Sequence, residues 1–267
     1  MSDHIQVIIL GVVQGLTEFI PISSSGHLVA VRQILGLEDQ GLMFDAVLHL
    51  ATLLVVIIYF WRDWQAMFFA LFAKNLTHRV KQSRRLIGLI MVTTVPAAGA
   101  GLLFKNFIDN DARSLLSVAG LMIFTGLMFI LLERVAAVRK DILKLNFFDA
   151  LSIGLAQAAA ILPGISRSGA TIITGMYHGL KREAAAKYSF LAAGPVIAMA
   201  GLYSLWQLFS NPQTVSWTNL GIGFAMALIS GLIAVHFLLQ FLRRHKLDIF
   251  AGYLIVIGLG LIVFSFI

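Results

Sequence analysis

The chain has 267 residues, 59% of them hydrophobic and only 12% charged, and its mean hydropathy of +0.89 means more apolar surface than one soluble core can hide. The formal net charge of +7 does not point to nucleic acid, because Lys and Arg fall in short clusters between apolar runs, with no basic helix interleaved with aromatics, and so read as membrane-topology signals. Without cysteine, disulfides and thiolate metal sites are excluded.

The start, MSDHIQVIIL, lacks a basic leader and a small-residue cleavage site and is read as part of the mature protein. The first apolar stretch, 5–20, runs into PISSSGH, where proline, glycine and serines should break a membrane helix. Three stretches of about the 20 residues needed to span hydrocarbon follow at 42–61, 86–104 and 115–132. A second broken stretch, 147–162, runs into PGISRSGAT, and three further spans are expected at 188–209, 220–242 and 248–267. The expected fold is therefore an all-α polytopic membrane protein, a single membrane domain 1–267 with six transmembrane helices and two re-entrant broken helices.

The loop charges orient these spans. Between 61 and 86 lie Arg62, Lys74, Arg79, Lys81, Arg84 and Arg85 against Asp63 alone, which predicts a cytoplasmic loop. Segment 105–114 is then external, 133–146 with Arg134, Arg139, Lys140 and Lys144 is cytoplasmic, and the second broken segment returns to the cytoplasm at Lys181 and Arg182. Segment 210–219 is external and uncharged, Arg243, Arg244, His245 and Lys246 are cytoplasmic, and both termini are predicted external. A shift of 143 places Gly11 on Gly154, Gln14 on Gln157, Ile22 on Ile165, Ser23 on Ser166, Ser25 on Ser168 and Gly26 on Gly169. Each broken segment precedes three spans and the two start on opposite sides, so the halves 1–140 and 141–267 are expected to form an inverted-topology repeat with a site near the bilayer midplane.

Polar residues at bilayer depth mark that site. An ionised Glu18 inside an apolar helix costs about 2.5 kcal/mol or more unless it is paired, and Gln14 lies one turn away on the same face. Ser23, Ser24, Ser25 and His27 follow within nine positions of it. In the second break, glycines let backbone N–H groups approach an anion, the helix beginning near Ala170 turns its positive dipole end to the loop, and Arg167 offers a planar clamp for phosphate. Joined by the repeat, Arg167 becomes the partner of Glu18. Asp45 and His49 share a helical face and are read as a structural hydrogen bond. His178, Glu183 and His236 have no metal-ligand spacing, and Trp61, Trp64, Trp206 and Trp217 are read as interfacial anchors.

The two segments, from Gln14 to His27 and from Pro163 to Thr171, closely resemble the two signature motifs of the undecaprenyl-diphosphate phosphatase family of the bacitracin-resistance type, and the likeness extends over essentially the whole chain. The resemblance implies hydrolysis of undecaprenyl diphosphate to the monophosphate and inorganic phosphate at the outer side of the bacterial inner (plasma) membrane, regenerating the lipid carrier for peptidoglycan. By position it implies Glu18, Ser24, His27 and Arg167 as catalytic residues, with Gln14, Ser23, Ser25, Gly26, Ser166, Ser168, Gly169 and Thr171 around the diphosphate. It also implies a divalent cation, Mg²⁺ or Ca²⁺, bridging the diphosphate to Glu18. Gln14 stands where many members carry Glu, which removes one metal ligand. The acid-phosphatase-like lipid phosphatases also use SGH and SR signatures, but their SR motif has a histidine several residues on, and 172–175 offer none.

The nucleophile is open between Ser24, with His27 taking its proton, and His27 itself. The rival reading is a polyprenyl-phosphate transporter rocking its inverted repeats, which needs a cationic pocket but no Ser–His–Glu cluster. A structural scaffold would not place Glu18 and Arg167 at depth. The sequence leaves a homodimer open.

Overall fold

The structure, a computed structural model, describes residues 2–37, 41–104, 114–210 and 216–266, without the side chains of 42, 204, 205 and 207–210. The expected external segments 105–114 and 210–219 lie largely outside the described residues, as does Ile267. Among the described residues eleven α-helices follow one another: α1 Asp3–Phe19, α2 Ser24–Leu35, α3 Gly41–Tyr59, α4 Trp61–Phe72, α5 His78–Leu103, α6 Leu115–Val135, α7 Phe147–Ala159, α8 Arg167–Tyr177, α9 Arg182–Ser210, α10 Trp217–Leu242 and α11 Asp248–Phe264. Among the described residues there is no strand, only a single bridge between Lys140 and Leu180.

The hydropathy pattern is realised as a polytopic helical membrane protein. Among the described residues four helices are long and apolar enough to cross a membrane, α5, α6, the 182–203 part of α9, and α10, and a fifth span arises if the bent pair α3–α4 counts as one. Six spans were expected, and the difference has two sources. The stretch 42–61 becomes α3 and then turns by 79° into α4, which carries Arg62 and Asp63 in its first turn. The last helix has 17 residues, about 25 Å at 1.5 Å per residue, just short of a full crossing. Helix α5 begins at His78 rather than near 86, because Thr77 caps it by accepting from the Val80 N–H at 3.4 Å, and Arg and Lys are good helix formers outside the lipid as well.

The helix contacts recur with the two halves exchanged. Helix α1 packs on α10 as α7 packs on α5, α3 touches α10 as α9 touches α5, and the pairs α3–α9 and α6–α11 map onto themselves. Equivalent glycines permit two of the close crossings. A Cβ on Gly11 would meet the Gly223 carbonyl oxygen at 2.6 Å, and one on Gly154 would meet that of Thr93 at 2.8 Å; small residues are what let helix backbones approach this closely in lipid. These crossings bring the ends of α1 and α7 together inside the bundle.

Candidate active site

Helix α1 stops where Pro21 removes a donor, its last backbone bond running from the Ile20 N–H to the Leu16 carbonyl at 3.2 Å. The chain turns at Ser23, whose φ of 72° and ψ of 93° make it the one non-glycine residue with positive φ among those described. Such a conformation costs on the order of 1–3 kcal/mol and persists only where surroundings impose it. The Ser23 hydroxyl caps α2 by accepting from the Gly26 N–H at 3.3 Å and reaches the Ile165 carbonyl of the other break at 3.5 Å. Ser25, half-buried, occupies the first turn of α2.

The second break repeats this construction. After α7, Gly164 takes φ 104°, and a Cβ there would lie 2.6 Å from the Val118 carbonyl. Ser166 caps α8 by accepting from the Gly169 N–H at 3.1 Å, and its hydroxyl lies 3.3 Å from that of Ser168. Thr171 is fastened to the Arg167 carbonyl at 2.8 Å and to the Ser189 hydroxyl at 2.6 Å. Two helix N-termini with serine caps thus meet inside the protein, a geometry that favours an anion.

Glu18 is the junction. One carboxylate oxygen is paired with Arg167; the other accepts from Gln14 Nε2 at 2.9 Å and from the Ser24 hydroxyl at 2.6 Å, with His49 Nδ1 at 3.4 Å. Only 5% of Glu18 is exposed. Arg167 spends one terminal nitrogen on this pair, and its other, Nη1, is buried without a partner, as is the Gln14 Oε1 atom. A buried guanidinium donor with nothing to donate to is costly. It is the feature a phosphate oxygen would complete.

Two expectations change here. Asp45 does not bond His49: it pairs with Arg32, at 3.0 Å to Nη1, while His49 turns to Gln14 at 2.9 Å and to Glu18. One helical turn between Asp45 and His49 allowed a contact, but α2 and α1 supply opposite partners for each. Nor does Ser24 bond His27. Its hydroxyl goes to Glu18, whereas His27 Nδ1 lies 2.8 Å from the Ser23 carbonyl and Nε2 lies 2.8 Å from the Tyr253 hydroxyl on α11. His49 and Tyr253 were missed as site residues. A second ionisable residue in an apolar stretch was the available signal for His49; Tyr253 offered none, since a tyrosine in a terminal span reads equally well as an interfacial anchor.

The remaining polar groups lie elsewhere. His178 faces Asp149 at 3.1 Å, Glu183 pairs with Arg243 at 2.7 Å, and His236 lies between Tyr59 at 3.1 Å and Gln240 at 2.8 Å. Trp61, Trp206 and Trp217 are exposed, as anchors would be, whereas Trp64 packs against Gly194. No group of three or more His, Cys, Asp or Glu able to hold a metal ion occurs among the described residues. Mg²⁺ commonly uses one carboxylate together with substrate phosphates and water; the unpartnered Gln14 Oε1 beside Glu18 is compatible with such a site.

Residues 7–260 match the family described as Bacitracin resistance protein BacA. The chain is 39% identical over 261 residues to the undecaprenyl-diphosphatase of Halothermothrix orenii, covering 97% of each protein, and 41% identical over 259 residues to that of Rubrobacter xylanophilus, covering 95% of each. It is 39% identical over 260 residues to undecaprenyl-diphosphatase 1 of Pseudoalteromonas translucida, covering 97% of this chain and 98% of that one. The chain belongs to the bacitracin resistance protein family.

Proposed function

We propose that this chain hydrolyses undecaprenyl diphosphate to undecaprenyl phosphate and inorganic phosphate, which recycles the lipid carrier for peptidoglycan and underlies bacitracin resistance. The observation that carries the reading is the Glu18–Arg167 pair between the two breaks, with the Ser24 hydroxyl on the same carboxylate and an unused guanidinium nitrogen beside it. An anion carrier would need the arginine. It would have no use for a serine poised on a carboxylate.

Phosphoryl transfer requires mainly positioning and neutralisation of the transferred group. Arg167 takes the terminal phosphate through Nη1, and the N-terminal N–H groups of α2 and α8 supply further donors. As the phosphate competes for Arg167, Glu18 is freed to receive a proton. The Ser24 hydroxyl attacks the terminal phosphorus and gives its proton to Glu18, while the bond from that phosphorus to the bridging oxygen breaks and its electron pair leaves with undecaprenyl phosphate. His27 stands one turn after Ser24 on α2 and acts in the second step. Its Nε2 takes a proton from water attacking the phosphoserine, and the departing Ser24 oxygen recovers its proton from Glu18. Gln14 and Glu18 would hold a divalent cation against the diphosphate, where it supplies charge neutralisation.

The exchange of contacts between halves supports a duplicated architecture, 1–140 and 141–267, of inverted topology. The basic clusters support a site open to the external side of the bacterial inner membrane, with the polyprenyl tail between helices.

Phosphate release from undecaprenyl diphosphate by the purified protein in detergent tests the reading, with Glu18→Ala, Ser24→Ala and Arg167→Ala alongside. Wild-type turnover lost in all three variants is expected. Intact turnover in all three would overturn the site, and wild-type inactivity with lipid-phosphate uptake into vesicles would favour the carrier.

A further inference from the structure

Tyr253 is the sixth residue of α11, outside both breaks, and yet it bonds a residue of the site. Its hydroxyl is 2.8 Å from His27 Nε2, and the two rings stack with centroids 5.6 Å apart and planes 9° from parallel. The other ring nitrogen, Nδ1, is 2.8 Å from the carbonyl of Ser23, the residue with positive φ that caps α2. A carbonyl only accepts, so Nδ1 carries the hydrogen; in the neutral ring Nε2 then has the lone pair, and Tyr253 is the donor. Helix α6 meets this turn through Val118 and Met122 near Gly26, which neither donate to nor charge the imidazole. His27 is 8% exposed and Tyr253 40% exposed, so the phenol is the part of the pair that an incoming molecule reaches first.

We propose that Tyr253 is a positioning residue for the water-consuming half of the reaction: it fixes the His27 tautomer and ring plane and keeps Nε2 as an acceptor until water displaces the phenol. This rests on the hydrolysis proposed above. The two carboxylate- and imidazole-based steps then use different helix contacts. Ser24 is set by α1 through Glu18 and His27 by α11 through Tyr253.

The test is Tyr253→Phe, which keeps a ring for stacking and removes only the hydroxyl, assayed beside wild type for steady-state and burst kinetics of undecaprenyl phosphate release. Loss of one hydrogen bond predicts a fall in kcat of about tenfold, with KM within about twofold. The first-turnover burst is expected to persist and phosphoserine to accumulate at residue 24. Tyr253→Leu, lacking the ring as well, is expected to fall further. In ¹⁵N spectra of labelled histidine, wild-type His27 should read as the Nδ1–H form with a hydrogen-bonded Nε2, and Tyr253→Phe should lose the Nε2 hydrogen-bond shift. An active wild type whose Tyr253→Phe variant keeps its kcat, or loses the burst in parallel with kcat, overturns the proposal alone. A wild type that releases no phosphate overturns the hydrolytic reading and this proposal with it, while the ¹⁵N spectra still report whether Tyr253 holds His27.

Discussion

The two breaks share a scaffold and differ in the side chains they carry. Both end a helix in a Pro/Gly turn, both start the next helix with a serine that accepts from the N–H three residues on, and both place a buried glutamine one helix earlier. The reactive groups differ. At the positions 143 residues beyond Glu18, Ser24 and His27 stand Ile161, Arg167 and Ala170, so the first half holds the carboxylate, hydroxyl and imidazole, and the second holds the cation. Gln14 binds Glu18 and His49, whereas Gln157 binds the backbone carbonyl of Thr93 at 3.2 Å, in a cluster where Thr93 also meets Tyr188 at 2.7 Å. One glutamine serves the site and the other ties two helices. Two turns of the same backbone construction can thus carry different side chains, because capping depends on the serine and on chain direction and not on what the remaining turn residues do.

The sharpest way to break this division is Glu18→Gln, which keeps the shape and removes the base. A loss of kcat of about 10³-fold is expected in the phosphate-release assay, together with a lowered melting temperature, since a buried cation left unpaired costs about 3–5 kcal/mol. Arg167→Lys keeps the charge but loses the fork, and a loss of about 10²-fold in kcat/KM is expected. Activity near wild type in either variant would mean that the chemistry does not straddle the two halves. His49→Gln removes the neighbour of Glu18 and Gln14 and is expected to lower kcat by about tenfold or less. Ser166→Ala removes only a cap and should lower stability by about 1 kcal/mol in a thermal melt. Gln157→Leu should leave kcat unchanged, because its partner is backbone; an effect as large as that of Gln14→Leu would dissolve the contrast between the two glutamines.

Much of this was legible in the residues. The apolar runs predicted a polytopic helical bundle, since lipid demands long helices with internally satisfied backbones. Pro21, Pro163 and the neighbouring glycines and serines marked both breaks. The cost of a lone carboxylate in lipid required a partner for Glu18, and Arg167 was the cation with matching chemistry. Hydropathy could not say that 42–61 bends at Phe60, because a bend between two apolar helices leaves the apolar content unchanged.

What the sequence determined by itself is therefore the class of molecule, the two broken helices and the identities of the charged groups within them, all of which follow from local chain chemistry and the solvent. Only the tertiary structure decided who faces whom: that Asp45 goes to Arg32 and His49 to Glu18, that Ser24 answers to Glu18 and not to His27, and that Tyr253 of the last helix closes on His27. Those pairings depend on how α2 and α3 are rotated and docked against α1 and on how α11 lies against α6. Helix rotation is set by packing summed over many apolar contacts, which no spacing rule along one segment records.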